Sequence, residues 1–576
     1  MRVFDPVAGG EALVVLEGHT DDANALTAFT DPVTGEPRLV SGSNDNTVRV
    51  WNPAAGGAVI EAEPEGHSGD VKALVTFTDP ATGALWVATG SDDGTIRVWD
   101  AETGDGLLVI DTFETAASLT SRMRSGELSA VDVMERHLEA IEETNPKVNA
   151  IVTLTAEQAL QDAKAADEAA SVGKDLGPLH GLPVAHKDLV NTKGIRTTFG
   201  SPIFADNIPD TDALIVQRLK QAGAITVGKT NTPEFGAGSQ TFNPVFGVTR
   251  NPYDLSRTCG GSSGGAAVAL ACGMVPIADG SDHGGSLRNP ANFCNIVGFR
   301  TSPGRVPAWP SIVAWFPMSV QGPMARTVED AALMLSAIAG PDPRSPISIE
   351  ESGDRFREPL DRDFSGTRIA FSPDLGGLPI HPDITGVLEN HRETFASLGC
   401  DVNDAHPDFE GADEAFKVWR AWRFELAFGG LLDEHREQMK DTVVWNIEAG
   451  KKLTGPEIGE AEKKRTELYH RISEFMTDHE YLICPVSQVP PFDIETEYIT
   501  EINGIQMDTY IDWMRSCYYI SATGCPAISV PCGFTPSGLP VGVQIVGRHN
   551  DDWGVLQLAY AFQQATEYWK QSPPLT

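Results

Sequence analysis

The sequence predicts an α/β protein in which helices cover a β-sheet, preceded by a short all-β segment. Helical and strand patterns alternate from residue 112 to the C-terminus, which is typical of an α/β core. Residues 1–110 instead contain two copies of one pattern of short strands and turns, 48 residues apart. Because 576 residues are too many for one compact core, we predict two domains, at 1–110 and 111–576.

The N-terminal repeat has the frame of a known β-structure. Gly18-His19 recurs as Gly66-His67, and SNDNTVRVWN at 43–52 recurs as SDDGTIRVWD at 91–100. This frame resembles the blades of a WD40 propeller, and residues 3–5 resemble the last strand of a further blade. Two blades cannot close a ring, since propellers use at least four. The segment is expected to bind a protein partner or a second copy of itself.

Composition excludes several classes of function. The net charge of −37 argues against nucleic acid or an anionic membrane as a partner, because both attract basic surfaces. The eight cysteines show no CxxC spacing, so neither a disulfide framework nor a zinc site is predicted. The N-terminus lacks the apolar core of a signal peptide, and no apolar run reaches the ~18 residues of a membrane span. A cytoplasmic protein is expected.

Helix and strand signals follow one another along the second segment. Ser129 and Asp132 have the spacing of a capping box, and the helix they open should end at Asn145-Pro146. Thr327 and Asp330 open a second capped helix. The remaining predicted elements are helices at 156–170, 212–221 and 410–480, and strands at 224–227 and around Ile483, Ile528 and Val543, with a turn at 228–231.

The stretch 259–307 is the most informative part of the chain. It contains GGSSGG at 260–265 and GSDHGGS at 280–286, on either side of a run of small apolar residues at 266–278. Glycine beside serine permits tight turns and lets backbone N–H groups approach a substrate oxyanion. A flexible linker would not be interleaved with residues such as Val268 and Leu270.

Three stretches in the same order resemble the amidase signature family, which are serine hydrolases of amide and related carbonyl bonds. They are the stretch above, GLPVAHKD at 181–188, and GCPAISVP at 524–531 with GLPVGVQ at 538–544. The likeness extends from about residue 113 to the C-terminus. It implies a large mixed β-sheet covered by helices. It also implies cleavage of the C–N bond of a small-molecule amide through an acyl-serine intermediate, without a metal or cofactor.

The resemblance implies a catalytic triad of Ser286, Ser262 and Lys187. Ser286 would be the nucleophile, and Ser262, after a cis Gly261–Ser262 bond, would relay its proton to Lys187. A serine hydroxyl needs a neighbouring base, and lysine can act as one if burial keeps it neutral. The apolar residues 182–185 provide such surroundings. The side chain of Asp188 should point away, because neighbouring strand residues face opposite sides.

The resemblance also implies an oxyanion hole and a substrate contact. The oxyanion hole would consist of consecutive backbone N–H groups, those of His283, Gly284, Gly285 and Ser286. The backbone of Gly236 matches a position that contacts substrate. Asp282 and Arg288 are expected to pair and brace the nucleophile loop.

Histidine and aromatic residues leave alternatives open. His186 and His283 have no acidic partner at a recognisable spacing, so a Ser–His mechanism is not predicted. Trp309, Trp315 and Phe316 follow the signature closely, and core packing and a substrate pocket are equally compatible with them. Phe416, Trp419 and Trp422 have helical spacing, which favours core packing.

Three functions remain open at this point. An aryl or apolar amide is the preferred substrate class, and ester or carbamate cleavage is chemically close. The glutamine amidotransferase subunits that work with transfer RNA partners share the triad and form the second possibility. A WD40-type scaffold with an inert hydrolase is the third reading, and the intact triad argues against it.

Overall fold

The computed structural model divides into two compact units, Met1–Glu114 and Thr115–Leu575. It describes the following residues: 2–3, 14–16, 18–30, 37–52, 57–62, 67, 69–78, 85–92, 95–100, 106–174 and 176–575.

The first unit is all β. Its strands are β1 (Arg2–Val3), β2 (Val14–Val15), β3 (Ala23–Thr30), β4 (Pro37–Ser43), β5 (Val48–Asn52), β6 (Gly57–Ala62), β7 (Val71–Thr78), β8 (Leu85–Ser91), β9 (Thr95–Asp100) and β10 (Gly106–Asp111). Each sequence repeat forms one four-stranded antiparallel sheet, in the orders β3-β4-β5-β6 and β10-β9-β8-β7. Residues 4–5 of the predicted further strand lie outside the described residues.

The residues that define the repeat frame meet inside each sheet. Ser41 Oγ accepts a hydrogen bond from Trp51 Nε1 at 2.7 Å and lies 2.8 Å from His19 Nε2. The second copy repeats this, with Trp99 Nε1 and His67 Nε2 each 2.8 Å from Thr89 Oγ1. The GH and W positions therefore belong to one buried polar network per sheet, which confirms two WD40-like blades.

The second unit contains the remaining strands and the helices. Its strands are β11 (Ile151–Leu154), β12 (Pro183–Lys187), β13 (Ile225–Thr230), β14 (Phe242–Asn243), β15 (Gly247–Val248), β16 (Arg250–Asn251), β17 (Asp254–Thr258), β18 (Ile277–Asp282), β19 (Val297–Arg300), β20 (Val320–Ala325), β21 (Arg368–Phe371), β22 (Asp401–Asp404), β23 (Tyr481–Pro485), β24 (Glu501–Ile502), β25 (Ile505–Gln506), β26 (Ala527–Phe534) and β27 (Pro540–Gly547).

The α-helices surround these strands in chain order. They are α1 (Ala116–Ser125), α2 (Ala130–Val148), α3 (Ala156–Ser171), α4 (Leu214–Gln221), α5 (Gly264–Ala271), α6 (Arg288–Phe293), α7 (Val328–Ile338), α8 (Pro382–Glu389), α9 (Arg392–Ser397), α10 (Ala412–Phe428), α11 (Leu432–His435), α12 (Asp441–Lys452), α13 (Gly455–Asp478), α14 (Arg515–Thr523) and α15 (Asp552–Thr566). Across the described residues, none of the helices combines the length and the apolar character that crossing a membrane requires.

One mixed sheet of eleven strands forms the centre of the second unit. Its order is β11-β13-β12-β18-β20-β19-β26-β27-β23-β21-β22. Strand β12 pairs in parallel with β13 and β18, and β21 pairs in parallel with β22 and β23, whereas the other pairs are antiparallel. The large mixed sheet that the resemblance implied is confirmed.

Helix α5 is buried along its whole length. Every residue from Gly264 to Ala271 is buried, which fits a helix that is apolar on all sides. Its small side chains allow close packing against β12, β13, β18 and β20. The run of small apolar residues in the sequence is therefore a central helix, and its N-terminus directly follows Ser262 and Ser263.

The helix starts were predicted better than two of the element ends. Both capping residues, Ser129 and Thr327, accept a hydrogen bond from the N–H three residues later. Helix α2, however, continues through Pro146 to Val148, so the predicted end was wrong. The reason is local: the side chain of Asn145 caps the end by accepting from the N–H groups of the two residues that follow Asn149, at 2.8 and 2.9 Å.

The predicted turn at 228–231 was also wrong. Strand β13 continues to Thr230, which pairs with Ile151 on one side and with Lys187 on the other. Two neighbouring strands thus keep this segment extended where the residues Gly228 and Asn231 alone favour a turn.

Candidate active site

Lys187 lies where three elements of the second unit meet. It is the last residue of β12, next to β18, and the N-terminus of α5 follows Ser263. Strands β12 and β18 are parallel, so their carboxyl ends lie at the same edge of the sheet, where open α/β sheets usually bind ligands. The GLPVAHKD and GGSSGG stretches are thereby brought together although about 75 residues separate them.

The ammonium group of Lys187 is fully buried among hydroxyl groups. Its Nζ lies 2.8 Å from Ser262 Oγ, 2.8 Å from Ser263 Oγ and 3.2 Å from Ser281 Oγ. Burial lowers the pKa of Lys187 to about 7, although Asp282 and Asp279 favour the charged form. The neutral amine is therefore accessible near neutral pH.

Ser263 and Ser281 are functional-site residues that the sequence reasoning missed. Besides contacting Lys187, Ser263 is the acceptor for the N–H of Ser281 at 3.4 Å, and its own N–H donates to the carbonyl of Ser286 at 3.2 Å. Both residues are in the two serine clusters, so the signal was present, but the pattern gives no order of importance among neighbouring serines.

The two acidic neighbours of Lys187 in sequence and space are held apart from its side chain. Asp188 accepts hydrogen bonds from the N–H and the hydroxyl of Thr198, so it points away from Lys187 as predicted. Asp279 accepts from the backbone N–H of Lys187 at 2.9 Å and lies 2.5 Å from His186 Nδ1. The interpretation that His186 has no acidic partner was wrong, because this partner comes from strand β18.

The loop before Ser286 is braced by a buried carboxylate. Asp282 accepts hydrogen bonds from Arg288 at 3.0 Å and from Arg300 at 3.0 Å, which confirms the predicted Asp282–Arg288 pair. Burial alone would raise the pKa of Asp282, but the two guanidinium groups hold it well below its usual value. The loop is thus fixed by charge-assisted hydrogen bonds.

The geometry reduces the set of predicted oxyanion donors. The N–H of Gly285 donates to Asp282 Oδ1 at 2.9 Å, so this group is already engaged. The N–H groups of Gly284 and Ser286 have no such acceptor within the part of the chain that the structure describes. A side chain at Gly284 would collide with the ring of Phe416, since a Cβ would come within 2.7 Å of it.

A cavity of about 480 Å³ opens at this edge of the sheet. The predicted residues Gly236, Ser262, His283 and Ser286 all line it. Gly236 has a positive φ of 71°, and a Cβ there would lie 3.4 Å from Ser262 Oγ. The absence of a side chain therefore leaves room beside Ser262, which fits a position where substrate meets the backbone.

Only one of the three aromatic residues after the signature lines this cavity. Phe316 is among the lining residues, and its ring stacks on His283 with centroids 5.7 Å apart. Trp315 is 73% exposed, and Trp309 contacts the guanidinium of Arg344 instead. A pocket role for Trp309 and Trp315 was therefore wrong, because the chain between 309 and 315 turns their rings away from the cavity.

Helix α10 contributes residues that the aromatic stripe concealed. Phe416 is buried against Tyr518 and His283, as core packing predicts. Trp419 and Trp422 pack against Phe316 from outside the cavity. The neighbouring turns of the same helix present Arg420, Arg423, Phe424, Ala427 and Phe428 to the cavity.

The described residues include no group of three His, Cys, Asp or Glu side chains arranged to hold a metal ion. All eight cysteines are buried and free.

The fold and the site belong to one class of enzymes. The profile of the Amidase family matches residues 132–556, and that of the WD domain, G-beta repeat, matches residues 10–52 and 60–100. Since the first match spans most of the chain, the protein belongs to the amidase family of hydrolases.

Similar proteins fall into two groups. An acylamidase of Rhodococcus erythropolis is 35% identical over 465 residues, covering 80% of this chain and 97% of that protein. A glutamyl-tRNA(Gln) amidotransferase subunit of Moorella thermoacetica is 34% identical over 485 residues, covering 80% and 98%. Among solved structures, a bacterial aryl acylamidase of the amidase signature family superposes with a TM-score of 0.75 at 29% identity, covering 79% and 98%. A 6-aminohexanoate cyclic dimer hydrolase gives 0.74 at 25%, covering 81% and 100%.

Proposed function

We propose that this chain hydrolyses a carboxylic amide through an acyl-serine intermediate on Ser286. The observation behind this is the buried Lys187, whose Nζ lies 2.8 Å from Ser262 Oγ at the wall of a cavity that Ser286 also lines. A lysine with a pKa of about 7 can accept a proton, and a serine next to it can relay one. No other described cluster in the second unit combines a base, a relay and a nucleophile in this way.

The proton and the leaving group follow one path. Ser286 Oγ attacks the carbonyl carbon while its proton passes to Ser262, whose own proton passes to Lys187. The negative oxygen of the tetrahedral intermediate is stabilised by the N–H groups of Gly284 and Ser286. Lys187 then returns the proton through Ser262 to the amide nitrogen, and the C–N bond breaks. Water repeats the cycle on the acyl-serine and releases the acid.

An aryl or apolar amide fits the cavity better than a small polar one. Phe316, Phe424 and Phe428 line it, and its volume of about 480 Å³ suits a substrate with an aromatic ring or a medium acyl chain. An aryl acylamidase is among the similar structures, which agrees with this substrate class. Esters and carbamates present the same carbonyl to Ser286, so they are expected as slower or equal alternatives.

A glutamine amidotransferase subunit is the second candidate, because relatives of that kind are 34% identical. Free glutamine carries an α-ammonium group, which needs a carboxylate or several carbonyl oxygens. Of the described residues that line the cavity, none is Asp or Glu. The amidase function is therefore preferred over glutamine hydrolysis.

A fluorophosphonate probe tests the nucleophile directly. We expect covalent labelling of the native protein at Ser286, found by peptide mass spectrometry, and no labelling of Ser286→Ala. A panel of anilides, aliphatic amides and glutamine then ranks the substrates. A protein that neither labels nor turns over any amide would be the inert scaffold, whose blades alone would have a role in binding a protein partner.

A further inference from the structure

The cavity next to Ser286 has a charge opposite to that of the whole protein. The chain contains 80 acidic and 43 basic residues. Within the described lining of the cavity, however, the only charged side chains are Arg420 and Arg423. Two cations without an acid in a substrate cavity need an explanation, because Arg is rarely buried unless it is paired.

Arg423 lies in the cavity wall, and no described residue offers it an anionic partner. Its Nη1 atom is buried and has no hydrogen-bond partner among the described residues. Its guanidinium carbon lies 5.3 Å from the centroid of the Phe316 ring, which fixes the plane but satisfies none of the N–H groups. Burial lowers the pKa of Arg423, and no carboxylate in the described chain opposes that shift.

Arg420, one turn earlier on α10, is partly satisfied. It donates from Nη2 to Tyr510 Oη at 2.7 Å, and its guanidinium stacks on Phe424 at 4.7 Å. Its Nε, like Nη1 of Arg423, is buried without a partner in the described chain. Tyr510 also accepts from Asn446 at 2.6 Å, so Arg420 is held in place by a network.

We propose that the substrate is an amide that also carries a carboxylate, and that Arg423, with Arg420 beside it, binds this carboxylate. The inference rests on the proposed function, because it names the substrate class of the same site. Arg donors bind carboxylates with paired, charge-assisted hydrogen bonds, and the anion would satisfy the N–H groups that lack a partner among the described residues.

The shared contacts of Phe316 give the arrangement of the substrate. His283, three residues before Ser286, stacks on this ring at 5.7 Å, and the guanidinium of Arg423 lies over it at 5.3 Å. The scissile carbonyl at Ser286 and the carboxylate at Arg423 are therefore separated by an apolar stretch that contacts Phe316. Glutamine does not fit this description, because its ammonium group would lie beside two arginines.

Matched substrate pairs test the proposal. On the acyl side we compare glutaric acid mono-4-nitroanilide with 5-methylhexanoyl 4-nitroanilide, in which an isopropyl group replaces the carboxylate. On the amine side we compare hexanoyl 4-aminobenzoate with hexanoyl 4-isopropylanilide. We expect the acid to exceed its neutral isostere in kcat/KM by at least ~10-fold in one pair, which identifies the side that carries the carboxylate.

Arginine variants assign the preference to the site. Arg423→Gln should reduce the ratio of acid to neutral kcat/KM to near one, and Arg423→Lys should retain part of it. The matched control is Arg436→Gln, which removes an exposed arginine that pairs with Glu448 at 2.7 Å. Equal turnover of acid and neutral substrates in both pairs, or an unchanged ratio in Arg423→Gln, overturns the proposal.

Binding without turnover separates this proposal from the amidase function. Calorimetry on Ser286→Ala with the same four compounds should show at least ~10-fold tighter binding of one acid than of its isostere. If the native protein turns over no amide but this binding difference persists and is lost in Ser286→Ala/Arg423→Gln, the anion site stands and the hydrolase function fails. If amides are hydrolysed and no acid binds more tightly, the anion site fails alone.

Discussion

The Nζ atom of Lys187 lies 2.8 Å from the Oγ atom of Ser262, and both side chains are withdrawn from solvent. The short distance and the burial act together. Burial lowers the pKa of Lys187 to about 7, and the hydrogen bond gives the neutral amine a hydroxyl partner. A lysine on the surface would be protonated at neutral pH and could not accept a proton from serine.

The first prediction concerns the pH dependence of turnover. If Lys187 is the base, only its neutral form is active, so kcat/KM should rise with pH below about 7 and become constant above that value. The measurement is the pH profile of kcat/KM for a neutral anilide from pH 5 to 9. A profile that is flat across this range, or that falls as pH rises through 7, would exclude Lys187 as the base.

The second prediction concerns stability. An unfolded lysine has a pKa near 10.5, so between about 7 and 10.5 the unfolded state binds a proton that the folded state does not. The native state is therefore destabilised at low pH, and its stability should rise with pH across this window. Lys187→Met should be inactive but more stable than the native protein at pH 6, by a few kcal/mol at most.

Thermal unfolding at pH 6 and pH 9 measures this effect. The gain in Tm for Lys187→Met should be larger at pH 6 and shrink at pH 9. Lys174→Met is the matched control, because Lys174 is exposed just after α3 and should change Tm little at either pH. A variant that unfolds at lower temperature than the native protein at pH 6 would show that the hydrogen bonds of Lys187 outweigh its burial.

The third prediction separates the roles of the triad. Ser286→Ala should abolish the acyl-enzyme, whereas Ser262→Ala and Lys187→Ala should leave slower residual turnover, because the three groups act as a unit. Rapid quenching and intact-mass analysis detect the acyl adduct. Ser171→Ala, an exposed serine of α3, is the control. Near-native turnover of Ser286→Ala would remove it as the nucleophile.

Much of the fold and the triad could be predicted from the sequence, since glycine, serine and capping residues act locally. The Ser129 cap and the buried small-residue helix α5 depend on neighbouring residues alone. The His186–Asp279 pair could not be predicted, because strand pairing brings together residues 93 positions apart. Arg423 was hidden for a similar reason: its chemical interest is that the described residues around it include no acid, and only the folded structure shows its surroundings.

The fourth prediction concerns the N-terminal blades. Deleting residues 1–110 should leave the hydrolase folded and active, because the eleven-stranded sheet is built from strands of the second unit alone. The deletion also keeps Thr115, the residue that caps α1. Circular dichroism, Tm and kcat/KM of the truncated protein should agree with those of the full chain. An insoluble or inactive product would show that the blades complete the enzyme.

The last prediction concerns the apolar part of the cavity. Each methylene that a substrate buries contributes ~0.8 kcal/mol, so hexanoyl 4-nitroanilide should exceed acetyl 4-nitroanilide in kcat/KM by at least ~10-fold, about 1.4 kcal/mol. Phe316→Ala should narrow that ratio, because its ring lines the cavity. Trp315→Ala is the matched control, since this neighbour is 73% exposed and should leave the ratio unchanged. A ratio that responds to Trp315 and not to Phe316 would contradict the cavity described above, and faster turnover of glutamine than of either anilide would favour the amidotransferase function.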